Sequence, residues 1–161
     1  MRFTLGGTPP FRELNEGTSM YEWPAPFQLH DVSSFPVVYA GEDDANPAFA
    51  MQWQREMDML ISRGDPFVVI FPPGQSGDDD DTPMTDAMKH ARKQRVLWIK
   101  ENRQRLQELC KGLVTIEKDV VKRALKLAKA IIFEKAFGVP FKVAASESLA
   151  ISLGNELLRN A

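Results

Sequence analysis

The sequence predicts an α/β fold in which a mostly parallel sheet of four to five strands opens with a hairpin and is flanked by helices. Three observations indicate this. Short apolar runs alternate with longer amphipathic stretches along the chain. The run at 66–71 is continuously apolar after its proline, which is typical of a strand buried on both faces. Each later run is followed by a helical pattern, and such helices return the chain between parallel strands.

The composition fits one globular unit. Of 161 residues, 43% are hydrophobic and 26% are charged, as in ordinary soluble domains. Seven glycines and prolines fall within residues 1–26, so we expect an irregular N-terminal arm there and a single α/β domain at 27–161. One cysteine excludes an internal disulfide and a cysteine-based zinc cluster. No stretch approaches the ~20 apolar residues of a spanning helix, so we expect a cytoplasmic protein with no membrane partner.

Capping residues and breakers set the expected elements. Asn46, Thr82, Asp119 and Ser146 stand where a helix N-cap is favoured, and the first two are followed by proline. Alternating runs joined at Ser33-Ser34 predict the hairpin. We expect strands at about 27–32, 35–40, 66–71, 113–116 and 139–144. We expect helices at about 47–63, 83–110 and 120–137, and from 147 onwards.

The helix after Asp119 is predicted to lay its apolar side on the sheet and its basic side in water. The expected inner positions are Val121, Ala124, Leu125, Ala128, Ile131, Ile132 and Ala136. The expected outer positions are Lys122, Arg123, Lys126 and Lys129.

The order hairpin, helix, buried strand, helix, Gly-led strand, helix, strand, helix resembles that of the STAS and SpoIIAA-like small α/β domains. The segments at 98–103, 109–114 and 139–150 carry a similar spacing, and the resemblance covers about residues 27–159. It implies a non-enzymatic regulatory or protein-interaction module. In anti-anti-sigma members a serine after the middle strand is phosphorylated, and the matching segment, 72–85, offers Ser76, Thr82 and Thr85. That segment lacks the family's Asp-x-Ser pattern, and its four aspartates would repel a phosphate.

Charge is divided unevenly along the chain. Residues 1–86 contain 15 acidic and 4 basic side chains, whereas residues 87–161 contain 7 acidic and 16 basic ones. Such asymmetry indicates either a surface for an acidic partner or two complementary halves of the fold. Few aromatic side chains accompany the basic ones, which disfavours nucleic acid, so we predict a protein partner or a homo-oligomer. The predicted interaction face is formed by Lys89, Arg92, Lys93, Lys100 and Arg103.

The run Asp78–Asp81 supports an alternative function, a small divalent-cation-dependent enzyme or ligand sensor. Mg²⁺ and Ca²⁺ prefer oxygen ligands, and Asp79 and Asp81 are the candidates, although a solvated acidic loop is the simpler interpretation. Cys110 is expected to be a buried structural thiol, and the two histidines, His30 and His90, have no partner visible in the sequence. We therefore predict no catalytic residue and no cofactor.

Overall fold

The computed structural model describes residues 22–41, 46–73 and 83–160. Within these ranges the strands are β1 (His30–Asp31), β2 (Val37–Ala40), β3 (Phe67–Phe71), β4 (Cys110–Ile116) and β5 (Phe141–Ala144). The helices are α1 (Ala50–Arg63), which follows a 3-10 turn at Pro47–Phe49, α2 (Asp86–Glu101), α3 (Arg103–Leu109), α4 (Val120–Phe137) and α5 (Glu147–Arg159). The predicted α/β class is confirmed. None of these helices is long and apolar enough to cross a membrane.

The five strands form one mixed sheet whose spatial order is the chain order, β1 to β5. β1 runs antiparallel to β2, with His30 opposite Ala40. The pairs β2–β3, β3–β4 and β4–β5 are parallel. The predicted hairpin is therefore present, although both of its strands are shorter than expected. Because β2 to β5 run in one direction, their carboxyl ends lie along one edge of the sheet.

Both faces of the sheet are covered. Phe67 and Val69 of β3 belong to a core cluster with side chains of α1, α2 and α3. Ile70 belongs to a second cluster, which includes Ala150 of α5. The continuous apolar run is buried on both faces, as predicted. α5 approaches β3 closely at Gly154, where an added Cβ would lie 3.2 Å from the Val68 side chain.

Three of the predicted caps are confirmed. The side-chain oxygens of Asn46, Asp119 and Ser146 accept hydrogen bonds from backbone N–H groups two or three residues further on, at 2.9, 2.8 and 3.3 Å. α1 ends before Gly64 and α4 before Gly138, and both glycines have the left-handed backbone that ends helices, with φ of 82° and 72°. Local chemistry therefore fixes these boundaries.

The prediction for the second helix was wrong at both ends. Thr82 lies outside the described residues, and the cap is Thr85, whose hydroxyl accepts the Met88 N–H at 3.1 Å. The helix does not continue to Cys110, because it is interrupted at Asn102, whose side-chain amide donates to the Trp98 carbonyl at 2.9 Å. An asparagine that bonds to nearby backbone competes with helical hydrogen bonding. Cys110 is already the first residue of β4.

Candidate functional site

Helix α4 lies beside the edge strand β5 and turns its aliphatic side to solvent. The predicted inner residues Val121, Leu125, Ile131 and Ile132 are 59–69% exposed. Lys126, predicted to be on the outer side, is only 6% exposed. The predicted orientation of this helix is therefore wrong, and the actual one leaves its aliphatic side chains in water.

A buried polar contact helps to hold this orientation, together with the Phe133 ring, which packs on Phe141 of β5 with centroids 5.3 Å apart. Lys126 Nζ lies 2.8 Å from Glu117 Oε1, and Arg123 Nη1 donates to the Glu117 backbone carbonyl at 3.1 Å. The hydrogen bond from Lys126 and that from the Asp119 N–H hold the pKa of the Glu117 carboxyl below its ordinary value. Leaving either partner of a buried ion pair alone is strongly unfavourable. Glu117 follows β4 directly, so the pair ties one side of α4 to the end of that strand.

The exposed side of α4 consists of two rows of aliphatic side chains with alanines between them. At about 100° per residue, Val120, Leu127 and Ile131 form one aliphatic row and Val121, Leu125 and Ile132 form another. Ala124 and Ala128 lie between the rows, and both are exposed. We call these eight residues the α4 face. It presents on the order of 500 Å² of apolar surface, comparable with the largest patch on a typical monomer.

The second feature is a cavity of about 380 Å³ beneath α2. Its lining passes from α1 across β3 and β4 to β5 and α4. Most of the lining is apolar, and it includes Trp53, Trp98, Met88 and Phe133. The rings of Trp53 and Trp98 pack edge to face, with 80° between their planes and 5.4 Å between their centroids. Arg92 and Arg95 of α2 also line it.

A buried carboxylate holds one wall of this cavity. Glu56 of α1 is fully buried and accepts hydrogen bonds from His30 Nδ1 at 2.8 Å, from the His30 N–H at 2.9 Å, from the Gln28 N–H at 2.7 Å and from Gln52 Nε2 at 2.6 Å. Burial by itself raises a carboxyl pKa, but these donors outweigh it and hold the Glu56 pKa below its ordinary value. The contact joins β1 to α1 and fixes the His30 ring, which lines the cavity.

The predicted interaction face is exposed in the structure. Lys89, Arg92, Lys93 and Lys100 lie on α2, and Arg103 begins α3. Lys89, Lys93 and Lys100 fall on one side of α2 by helical geometry. Whether these residues contact a partner stays a prediction.

The phosphorylation and cation candidates, Ser76, Thr82, Asp79 and Asp81, lie outside the described residues, and those hypotheses stay predictions. The third hydroxyl of that segment, Thr85, is occupied as the cap of α2. Within residues 22–41, 46–73 and 83–160, no group of three His, Cys, Asp or Glu side chains is placed to hold a metal ion.

The one cysteine is placed as a structural thiol. Cys110 is 2% exposed, and burial raises its pKa to about 12. A thiol that stays protonated at neutral pH is a poor nucleophile.

Comparison with known proteins does not identify a family for this chain. No family model matches the chain, and no curated protein or solved structure matches it either. A functional assignment therefore depends on the two features described above, the α4 face and the cavity beneath α2.

Proposed function

We propose that this protein is a non-enzymatic protein-interaction module of STAS-like architecture, and that a second copy of the same chain covers its α4 face. The observation that carries the proposal is the exposure of six large aliphatic side chains on one helix. The resemblance to STAS domains is supported by the order of elements, since a hairpin precedes three strands that lie parallel in chain order with helices between them.

The size of the α4 face suits self-association. Two copies packed face to face would remove on the order of 1,000 Å² from water, which is near the lower limit for a stable interface. A two-fold interface uses the same patch on both copies. The shape of the α4 face is compatible with such packing. Ala124 and Ala128 form a shallow groove between the two aliphatic rows, and a row of the other copy can fit into it. Because buried area alone does not set affinity, self-association has to be measured over a wide range of concentration.

The charges around the α4 face permit contact between two copies. Lys122 and Lys129 lie along one edge, and Glu134 lies near the other. Lys135 is the one charged residue within the apolar sector of α4, and a lysine stem can lie along apolar surface while its ammonium group stays in water. Association through this face should therefore depend only weakly on salt. Binding to a polyanion through the basic residues of α2 would instead weaken steeply with salt.

Sedimentation velocity over a range from low to high micromolar concentration tests the proposal. We expect a reversible dimer for the natural chain and a monomer for Leu125→Glu and Ile132→Glu. The matched control is Leu149→Glu on α5, because Leu149 is also a half-exposed aliphatic residue but lies outside the α4 face. Circular dichroism checks that each variant is folded.

Two results would overturn the proposal. One is a natural chain that stays monomeric at every concentration. The other is a dimer that Leu125→Glu and Ile132→Glu leave intact, which would place the contact elsewhere on the molecule.

A further inference from the structure

Helix α2 covers the sheet incompletely. Of its sixteen residues, Trp98 alone is buried. That side chain is held by α1, since Trp98 Nε1 donates to Asp58 Oδ1 at 2.9 Å. α2 otherwise packs chiefly on α1, the 3-10 turn and α3. The space left between α2 and the sheet is the cavity of about 380 Å³.

The size and lining of the cavity are those of a small-molecule site. Ligand pockets commonly measure about 300–1,000 Å³ and combine apolar walls with a few polar groups. Water held against apolar walls is unfavourable, so an apolar ligand that displaces it gains free energy. The lining crosses from Met57 on α1 to Phe141 on β5, two strand spacings of about 4.8 Å each plus the flanking side chains. An elongated ligand fits this shape better than a compact one.

Two arginines supply the polar end. Arg92 and Arg95 are one turn apart on α2, and both line the cavity. The Arg95 guanidinium stands 4.4 Å from the centre of the Trp53 ring, and Arg92 Nη1 lies 3.7 Å from the Met84 sulfur. The Arg95 guanidinium thus rests against an aromatic wall, whereas Arg92 is exposed at the mouth of the cavity. Guanidinium groups pair with carboxylates in a planar, two-bond geometry.

From this arrangement we propose that the cavity binds a long-chain acyl carboxylate. The hydrocarbon chain lies between α2 and the sheet and extends toward Phe133 and Phe141. The carboxylate pairs with Arg92. This site is separate from the α4 face, so binding does not require self-association.

The test uses cis-parinaric acid, a fluorescent long-chain fatty acid, with the full chain. Because Trp53 and Trp98 line the cavity, bound probe should accept energy from them, and palmitate should displace it. 1-Hexadecanol, which has the same chain length but no carboxylate, should displace the probe more weakly than palmitate.

Three variants locate the ligand. Ala91→Phe fills the cavity from α2 and should abolish energy transfer while the melting temperature is kept or raised. Arg92→Gln should weaken palmitate about tenfold, as expected for one charge-assisted hydrogen-bonded contact, and leave 1-hexadecanol unchanged. Arg103→Gln, an exposed arginine that does not line the cavity, is the matched control and should change neither.

The proposal is overturned if energy transfer is not saturable, or if a folded Ala91→Phe variant binds the probe as the natural chain does. If Arg92→Gln weakens palmitate and 1-hexadecanol equally, the assignment of the carboxylate to Arg92 is wrong. The monomeric variant Leu125→Glu should bind the probe normally, so failure of this proposal and failure of the proposed dimer give different results.

Discussion

Replacing Glu56 by Gln tests whether the buried carboxylate is what joins β1 to α1. The substitution keeps the size of the side chain and removes its charge. It also puts an NH₂ group where an oxygen now faces N–H donors. Because both carboxylate oxygens accept hydrogen bonds in the native structure, at least one donor must lose its acceptor in the variant.

The expected loss is large. A hydrogen bond to a charged group contributes about 1.5–3 kcal/mol, and an unsatisfied buried donor costs a similar amount. With two such contacts affected, the free energy of unfolding should fall by roughly 3–5 kcal/mol. At about 2–4 °C per kcal/mol for a chain of this size, the melting temperature should fall by roughly 6–20 °C.

The pH dependence of stability gives a second readout. The folded pKa of Glu56 is below its ordinary value of 4.5, so the unfolded chain takes up this proton first as the pH falls. The stabilisation is therefore present above pH 4.5 and is lost as the pH falls through the folded pKa. Glu56→Gln should be less stable at neutral pH and should lose less stability than the natural chain on acidification.

Urea unfolding at neutral and acidic pH measures both effects. Glu108→Gln is the matched control, because Glu108 is an exposed glutamate and its replacement should change stability by less than about 0.5 kcal/mol. A Glu56→Gln variant as stable as this control, with the natural pH profile, would refute the reasoning.

Three further predictions concern other side chains. Lys126→Met should lower the free energy of unfolding by about 1–2 kcal/mol, as expected when a charged hydrogen-bond partner is lost near the surface, and adding Glu117→Gln should restore part of the loss, as measured by urea unfolding. Cys110 should resist iodoacetamide in the folded chain and react once the chain is unfolded, as followed by mass spectrometry. Calorimetric titration with Mg²⁺ or Ca²⁺ should show heat that Asp79→Asn and Asp81→Asn abolish if the acidic segment binds a cation, and silence would remove that hypothesis.

Elements whose boundaries depend on neighbouring residues could be predicted from the sequence. Asn46 caps the 3-10 turn before α1 and Asp119 caps α4, whereas Gly64 ends α1 and Gly138 ends α4. Each acts on backbone a few residues away. The strand at 67–71 could be predicted because a run that is apolar at every position suits burial on both faces. The α2 cap was mistaken since Thr82 and Thr85 both offer a hydroxyl next to a helical pattern, and residue type alone does not choose between them.

The candidate site could not be predicted in the same way, because its contacts join distant parts of the chain. His30 and Glu56 are 26 residues apart, and neither residue type indicates the other. The cavity depends on how far α2 stands from the sheet, which no spacing along the helix records. The sequence pattern predicts that apolar cavity-lining residues such as Met88 and Ala91 belong to a helix face that packs on the core.

Helix α4 has a regular apolar side, yet this side does not face the sheet. The spacing of apolar residues identifies an apolar side of a helix. It does not show whether that side packs on the sheet, because a buried polar group that needs a partner can turn another side of the helix inward. Glu117, at the end of β4, needs a cation, and Lys126 and Arg123 are the residues that reach it. With that contact made and Phe133 packed on Phe141, the two aliphatic rows of the α4 face point away from the sheet. Aliphatic residues exposed in this way gain stability when another surface removes them from water, which is the physical basis of the proposed contact between two copies through the α4 face.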